Sequence, residues 1–365
     1  MTSISCSRLF TSNGIQTNKT ISFENGIIHA IEDFKGKPDY ENLSAAFFDT
    51  HINGGEKLYL TQENSFEAID DIFRASVKTG TFYVLPTVIT SSLKNILKGI
   101  NTIKDYIKRC PTSGVVGLHL EGPFLNPVKR GAHLAKYVRM PTDEEIKTIL
   151  ESGKDVIKIW TIAPEQFTSA QIEMIQKAGV CISAGHSNAT HLEASAAFKS
   201  GIKLVTHLFN AMSGLHHREP GLVGASLANK NIWAPIILDG KHCDFITAKV
   251  AYNAKPDKLF LISDALFLGR KKMSFQWEEF DAKLVNGEYI NSDGNLAGSA
   301  ISIAEAIYNA VNEVGIPIEA AIDMATRRPF EAIGLDSSQY GIKPGNRALF
   351  TTFENDLENM EVLEF

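Results

Sequence analysis

The chain has 365 residues, with 36 Lys and Arg against 42 Asp and Glu, for a formal net charge of −6. Hydrophobic residues make up 44% and charged residues 21%, which excludes a disordered or fibrous chain and allows a large core. The mildly acidic balance argues against a general nucleic-acid binder, which carries a basic surplus, but leaves room for a local basic pocket that takes a small anion.

In chain order, residues 1–44 read as short β runs broken by turns. The stretch RLFTSNGIQTNKTISFENGIIHAIE alternates apolar and polar residues and carries Asn13-Gly14 and Asn25-Gly26, both hairpin signals. The opening MTSISCSRLFTSNG has no basic stretch followed by an apolar run. No window of about 18 uninterrupted apolar residues occurs. A cytoplasmic protein with no membrane association is expected. Cys6, Cys110, Cys181 and Cys243 lie far apart, which fits neither a zinc ribbon nor a disulfide framework and predicts reduced thiols.

From residue 47 the pattern changes. Eight short apolar runs follow in order: AAFF ending at Phe48, TFYVLPT, GVVGLHL, VIKIWTI, GVCISA, LVTHLF, IWAPIIL and KLFLIS. Amphipathic helices are predicted at 65–79, 91–109, 143–152 and 170–178, and two more at 301–314 and 318–325. Apolar strands alternating with helices imply parallel strands buried on both faces, and eight units predict an α/β (β/α)8 barrel over 47–334. Neither G-x-G-x-x-G nor a P-loop is present to favour a doubly wound sheet. The last segment, GIKPGNRALFTTFENDLENMEVLEF, resembles the first. Residues 1–46 and 335–365 are therefore expected to form one small β-sandwich domain.

Barrel chemistry is built where strands end. Here the strand ends carry Asp49 and His51, His119 and Glu121, His186, His207, Asp239 and His242, and Asp264. Alone, each is weak evidence: Asp49 can tie down a turn and a lone histidine can be a satisfied core residue. Together, Glu121, His186 and His207 form the oxygen–nitrogen set of a catalytic site for one divalent ion, zinc first, with Fe2+, Co2+ or Mn2+ open. Asp264 would be the carboxylate left free to take a proton.

The stretches GLHLEGPF (117–124), KRGAH (129–133), SAGHSNAT (183–190), THLFNAM (206–212), REPGLVGA (218–225), DGKHCD (239–244), ISDA (262–265) and LAGS (296–299) resemble, in order, those of the N-acetylglucosamine-6-phosphate deacetylases of the amidohydrolase superfamily. The resemblance implies that Glu121, His186 and His207 hold the metal and that Asp264 is the general acid/base. It implies that His133, next to Ala132, touches the sugar and the amide carbonyl. Asn210, Ala211, Arg218 and His242 would meet the 6-phosphate, and Leu296, Ala297, Gly298 and Ser299 would line the sugar and acetyl end. In this family part of the phosphate clamp can come from a neighbouring subunit, so the resemblance implies a homodimer. The substrate would be N-acetyl-D-glucosamine 6-phosphate, cleaved to glucosamine 6-phosphate and acetate in amino-sugar catabolism and cell-wall recycling.

One motif departs from the superfamily. Many amidohydrolases carry His-x-His on strand 1 and bind a second metal there, whereas this chain has His51-Ile52-Asn53. A neutral amide is a poor zinc ligand, so one tightly held metal is expected. For His51, a weak second-ion site, a hydrogen bond to active-site water and a role in the barrel mouth all stay open. The segment 268–280, LGRKKMSFQWEEF, reads as a lid or an ordinary rim hairpin. Two alternatives stand beside the leading function: the galacto-configured sugar phosphate as substrate, and a non-catalytic sugar-phosphate sensor.

Overall fold

Both hairpin signals close turns in the computed structural model, which describes residues 2–365. Strand β1 (Thr2–Thr11) turns back through Ser12 and Asn13 into β2 (Gly14–Glu24), so the two-residue loop sits one position earlier than the Asn-Gly pair suggests. Asn25 (φ 51°) and Gly26 (φ 75°) then lead to β3 (Ile27–Asp33), both in the left-handed region that a type I′ turn requires. With β4 (Tyr40–Ala45) the N-terminal part is complete.

Eight strands follow: β5 (Phe47–Ile52), β6 (Thr81–Ile89), β7 (Leu118–Glu121), β8 (Ile157–Ile162), β9 (Cys181–Ala184), β10 (Leu204–Val205), β11 (Ala234–Ile236) and β12 (Leu259–Leu261). They coincide with the eight apolar runs. Strands β5 to β10 form one parallel sheet in chain order, and β11 pairs in parallel with β12. Single parallel bridges join Leu204 to Trp233 and Ile52 to Ala265, so the curled sheet follows a TIM-barrel-like course. Helices Phe66–Val77, Leu93–Arg109, Asp143–Gly153 and Ser169–Lys177 match the predicted ones. Their starts are written locally: Ser65, Ser92, Thr142 and Thr168 each accept a bond from the backbone N–H three residues on.

After β12 the chain makes a small antiparallel sheet of β13 (Ser274–Trp277), β14 (Phe280–Val285) and β15 (Glu288–Ile290). Helices Ile303–Asn312 and Ile318–Ala325 return it to β16 (Leu349–Phe353) and β17 (Met360–Glu364). In its hydrogen bonding the expected terminal sandwich is a single six-stranded sheet, ordered β17-β16-β4-β1-β2-β3. It curls until Ile27 bridges Arg347, around a cluster that includes Ile4, Cys6, Leu9, Ile21, Phe23, Leu43 and Phe350. All four cysteines are free. Among the described residues, no helix is long and apolar enough to cross a membrane.

Candidate active site

The parallel strands deliver their ends to one rim. Glu121 closes β7, His186 and His207 stand just beyond β9 and β10, Asp264 stands beyond β12, and His51 lies near the end of β5. Three of these residues have left-handed backbone: His186 at φ 47°, His207 at 29° and Asp264 at 49°. Such conformations cost about 1–3 kcal/mol each and persist only where the surroundings over-determine them.

The side chains converge on Glu121, which is buried. Its Oε1 lies 3.1 Å from His186 Nε2 and 3.2 Å from His207 Nε2, and the two Nε2 atoms are 3.1 Å apart. Its Oε2 lies 3.3 Å from His51 Nε2 and 3.6 Å from His133 Nε2. Burial favours protonating Glu121, but the facing imidazoles of His51, His186 and His207 hold its carboxyl well below the usual range. Burial also opposes a charge on His51, yet the Asp264 and Glu121 carboxylates raise its pKa to about 9. His133 has no such excess of carboxylate, and burial pushes it down to about 3, so its imidazole is neutral near pH 7.

Donor chemistry fits a cation at this point. Three ligand atoms around one tetrahedral zinc at about 2.0–2.2 Å would stand roughly 3.3–3.6 Å apart, close to the spacing among Glu121, His186 and His207. His186 Nδ1 is 2.9 Å from the Lys129 carbonyl. A carbonyl only accepts, so Nδ1 carries the proton and the Nε2 lone pair faces Glu121, the outer hydrogen bond that orients a metal-binding imidazole. His207 Nδ1 and both ring nitrogens of His51 are buried without a hydrogen-bond partner, although His51 Nε2 is within ion-pair distance of two carboxylates. Glu121, His133 and His186 also have ligand atoms within 4.8 Å of one another. The tighter triangle is the one with His207, and His133 is left beside it.

A cavity of about 190 Å3 opens over these groups. Ala132, His133, Asn210, Ala211, His242, Asp264, Leu296, Ala297 and Gly298 line it. His242 is held at its edge by Asp239, whose Oδ2 accepts from Nδ1 at 2.6 Å. Burial opposes charge on His242, but this carboxylate outweighs it and raises the imidazole's pKa. A larger cavity, about 390 Å3, lies under the β1–β2 turn. No histidine lines it, and its Arg327 is paired with Asp323 and Glu331.

Two expected residues fall elsewhere. Ser299 does not line the cavity: its hydroxyl donates to the Ser263 carbonyl at 2.6 Å and its N–H to the Asp264 carbonyl at 2.9 Å, which pins the chain just beyond β12. Arg218 is exposed on the 213–220 loop, outside the cavity of its own chain. Segment 268–280 is a rim hairpin by its strands, and its Phe280 also walls the cavity. Tyr59 and Phe280, as apolar walls, had no role of their own in the sequence reading; Asp239 and Asn53 were noted at their strand ends, but not that Asp239 backs His242 or that Asn53 Nδ2 donates to Asp264 Oδ1 at 2.8 Å. The Asp-x-x-His spacing of residues 239–242 is a local signal for the first of these contacts; the second joins distant strand ends and has none.

Comparison with known proteins agrees with this geometry. The chain is 35% identical over 340 residues to an N-acetylgalactosamine-6-phosphate deacetylase of Shewanella sp. strain ANA-3, covering 89% of this chain and 85% of that one. It is 34% identical over 317 residues to the N-acetylglucosamine-6-phosphate deacetylase of Haemophilus influenzae, covering 85% and 82%. The crystal structure of N-acetylglucosamine-6-phosphate deacetylase from Pasteurella multocida superposes with a TM-score of 0.91 at 30% identity, over 98% of this chain and 97% of that one. The amidohydrolase family model matches residues 42–364, which contain every strand end of the site. With the parallel strands, the buried glutamate–histidine cluster and these relatives in agreement, the chain belongs to the amidohydrolase family.

Proposed function

We propose that the chain hydrolyses the acetamide of N-acetyl-D-glucosamine 6-phosphate, giving glucosamine 6-phosphate and acetate. The observation that carries this reading is the cluster of Glu121, His186 and His207, all within 3.2 Å of one another and beside the Asp264 carboxylate in one cavity. We read residues 47–334 as a complete (β/α)8 barrel, and 1–46 with 335–365 as one small β domain.

In this reading Glu121, His186 and His207 hold one divalent ion, zinc first, since mixed oxygen and imidazole donors suit it. Bound there, such an ion polarises the amide carbonyl and acidifies water to a pKa near about 7. Asp264 takes a proton from the attacking water and delivers it to the amine nitrogen as the C–N bond breaks. The water oxygen becomes part of the acetate. His133, neutral and buried, offers an N–H to the developing oxyanion. Asn210, Ala211 and His242 face the phosphate end, and Leu296, Ala297 and Gly298 wall the sugar. The exposed place of Arg218 supports a homodimer in which this arginine reaches the neighbouring cavity, where its planar fork suits a phosphate.

The galacto-configured substrate is the second reading, favoured by the Shewanella relative that carries that name. The test measures acetate and free amine from both epimers and from the unphosphorylated sugar, before and after chelation, with zinc added back. Phosphate-dependent and metal-dependent release supports the reaction, and the ratio of epimers decides the sugar. No release from either sugar phosphate refutes it.

A further inference from the structure

We propose that Asn53 is a positioning residue for Asp264: its amide tethers one carboxylate oxygen so that the other is the oxygen that moves the proton. The proposal rests on the reaction given above. Asn53 is buried, and Asp264 is its side chain's hydrogen-bond partner, through Nδ2 to Oδ1 at 2.8 Å. The amide orientation follows from chemistry, because an ionised carboxylate only accepts and the Asn53 oxygen in that place would set two acceptors against each other. The Asn53 oxygen has no donor, so the tether to Asp264 is what its side chain does in the protein.

The backbone makes the tether stiff. Asn53 N–H donates to the Ala265 carbonyl at 2.9 Å, and Asn53's own carbonyl accepts from Leu60 N–H at 3.0 Å. Asp264 is fixed in turn, its N–H donating to the His51 carbonyl at 2.8 Å and its carbonyl accepting from Ser299 at 2.9 Å. The ends of β5 and β12 are thus locked on both sides of the contact. His51 Nε2 stands 3.2 Å from the same Oδ1. Both side chains at the end of β5, His51 and Asn53, therefore gather on one oxygen of Asp264, and Oδ2 has no protein donor among the described residues.

This geometry gives the His-x-Asn pair a use where the superfamily's His-x-His holds a metal. A carboxylate that swings about its terminal bond presents either oxygen, or neither, to the reacting water. One short bond to Oδ1 removes that freedom, and misplacing a catalytic group by about 1 Å can cost on the order of a hundredfold in rate.

The test uses Asn53→Ala and the near-isosteric Asn53→Leu in the full-length zinc-loaded enzyme. Both are expected to lower kcat by about 10–100-fold with KM within about threefold, with the metal content of the wild type, and with Tm within a few degrees. A crystal structure of either variant is expected to show the Asp264 carboxylate turned away from its present orientation. Retention of wild-type kcat by Asn53→Leu would overturn the proposal, because shape alone would then suffice. Metal content falling in step with activity would also overturn it, since Asn53 would then act as a ligand. If the wild type hydrolyses no sugar phosphate, the functional reading fails by itself. The carboxylate orientation in the variants then decides the tether: turned away supports it, and unmoved refutes it.

Discussion

Replacing Asp239 by Asn isolates the electrostatics of the proposed phosphate end. Asp239 Oδ2 accepts from His242 Nδ1 at 2.6 Å, and its Oδ1 accepts from the backbone N–H of Lys241 at 2.9 Å and of His242 at 2.8 Å. The amide keeps the shape but removes the charge. A charge-assisted hydrogen bond is worth about 1.5–3 kcal/mol, and both side chains are largely buried, so solvent screens little of it. Burial opposes charge on His242 and Asp239 overcomes it, so the imidazole's pKa is raised. The stabilisation is therefore full below the ordinary histidine value of about 6.5 and is lost as pH rises through the higher folded value. The variant should lose the imidazolium at lower pH than the wild type does. Its KM for the sugar 6-phosphate should be about tenfold higher near pH 8, for about 1.4 kcal/mol of lost anion binding, and the difference should narrow as the pH falls. The kcat should hold, because His242 lies at the cavity edge. Initial rates from about pH 6 to 9 on phosphorylated and unphosphorylated sugar decide it. An unchanged KM at pH 8, or an equal change for the unphosphorylated sugar, refutes the reasoning.

Other perturbations test separate parts of the site. Glu121→Gln removes the charge that faces four imidazoles, and elemental analysis after dialysis should find the tight metal gone while the far-ultraviolet circular dichroism of the fold stays; retained metal would remove Glu121 from the ligand set. Gly122→Ala would set a Cβ 2.1 Å from Thr90 Oγ1 at φ +87°, and left-handed strain of about 1–2 kcal/mol plus overpacking of about 1–3 kcal/mol should appear as a clear fall in urea midpoint; no fall would mean that the β7 end relaxes freely. Arg218→Ala should raise KM for phosphorylated sugars only. Mixed with Asp264→Asn subunits it should recover activity at low substrate, because a hybrid dimer would hold one intact site; no recovery would place Arg218 in its own chain's site or in none.

Much of this protein is legible residue by residue. Helix starts show as Ser or Thr caps, turns as Asn-Gly, and buried parallel strands as unbroken apolar runs, because each depends on neighbours a few positions away. The Asn13-Gly14 turn shows the limit of that reading: the pairing of β1 with β2, from Thr2 with Phe23 to Thr11 with Gly14, places the loop at Ser12-Asn13 and leaves Gly14 at φ 103° as the first strand residue. The glutamate and histidines of the site were also readable, since a strand end supplies both the position and the donor atom.

Sequence alone determined the order of the eight parallel strands, the caps of their helices and the residues their ends deliver to one rim. All of these follow from short-range periodicity and from the rule that parallel strands share a direction. Tertiary structure decided which of those side chains meet. Asn53 reaches Asp264 across 211 positions because the bridge from Ile52 to Ala265 brings the first and eighth strands side by side. Ser299 belongs to a cavity-lining stretch by its neighbours, yet the hydrogen bonds to Ser263 and Asp264 turn it into the wall. Arg218 carries the charge a phosphate needs, yet its loop holds it in solvent. Residue type and spacing specify the chemistry available at each strand end. Contacts between distant strand ends depend on how the curled sheet comes together, and that is a property of the packed chain.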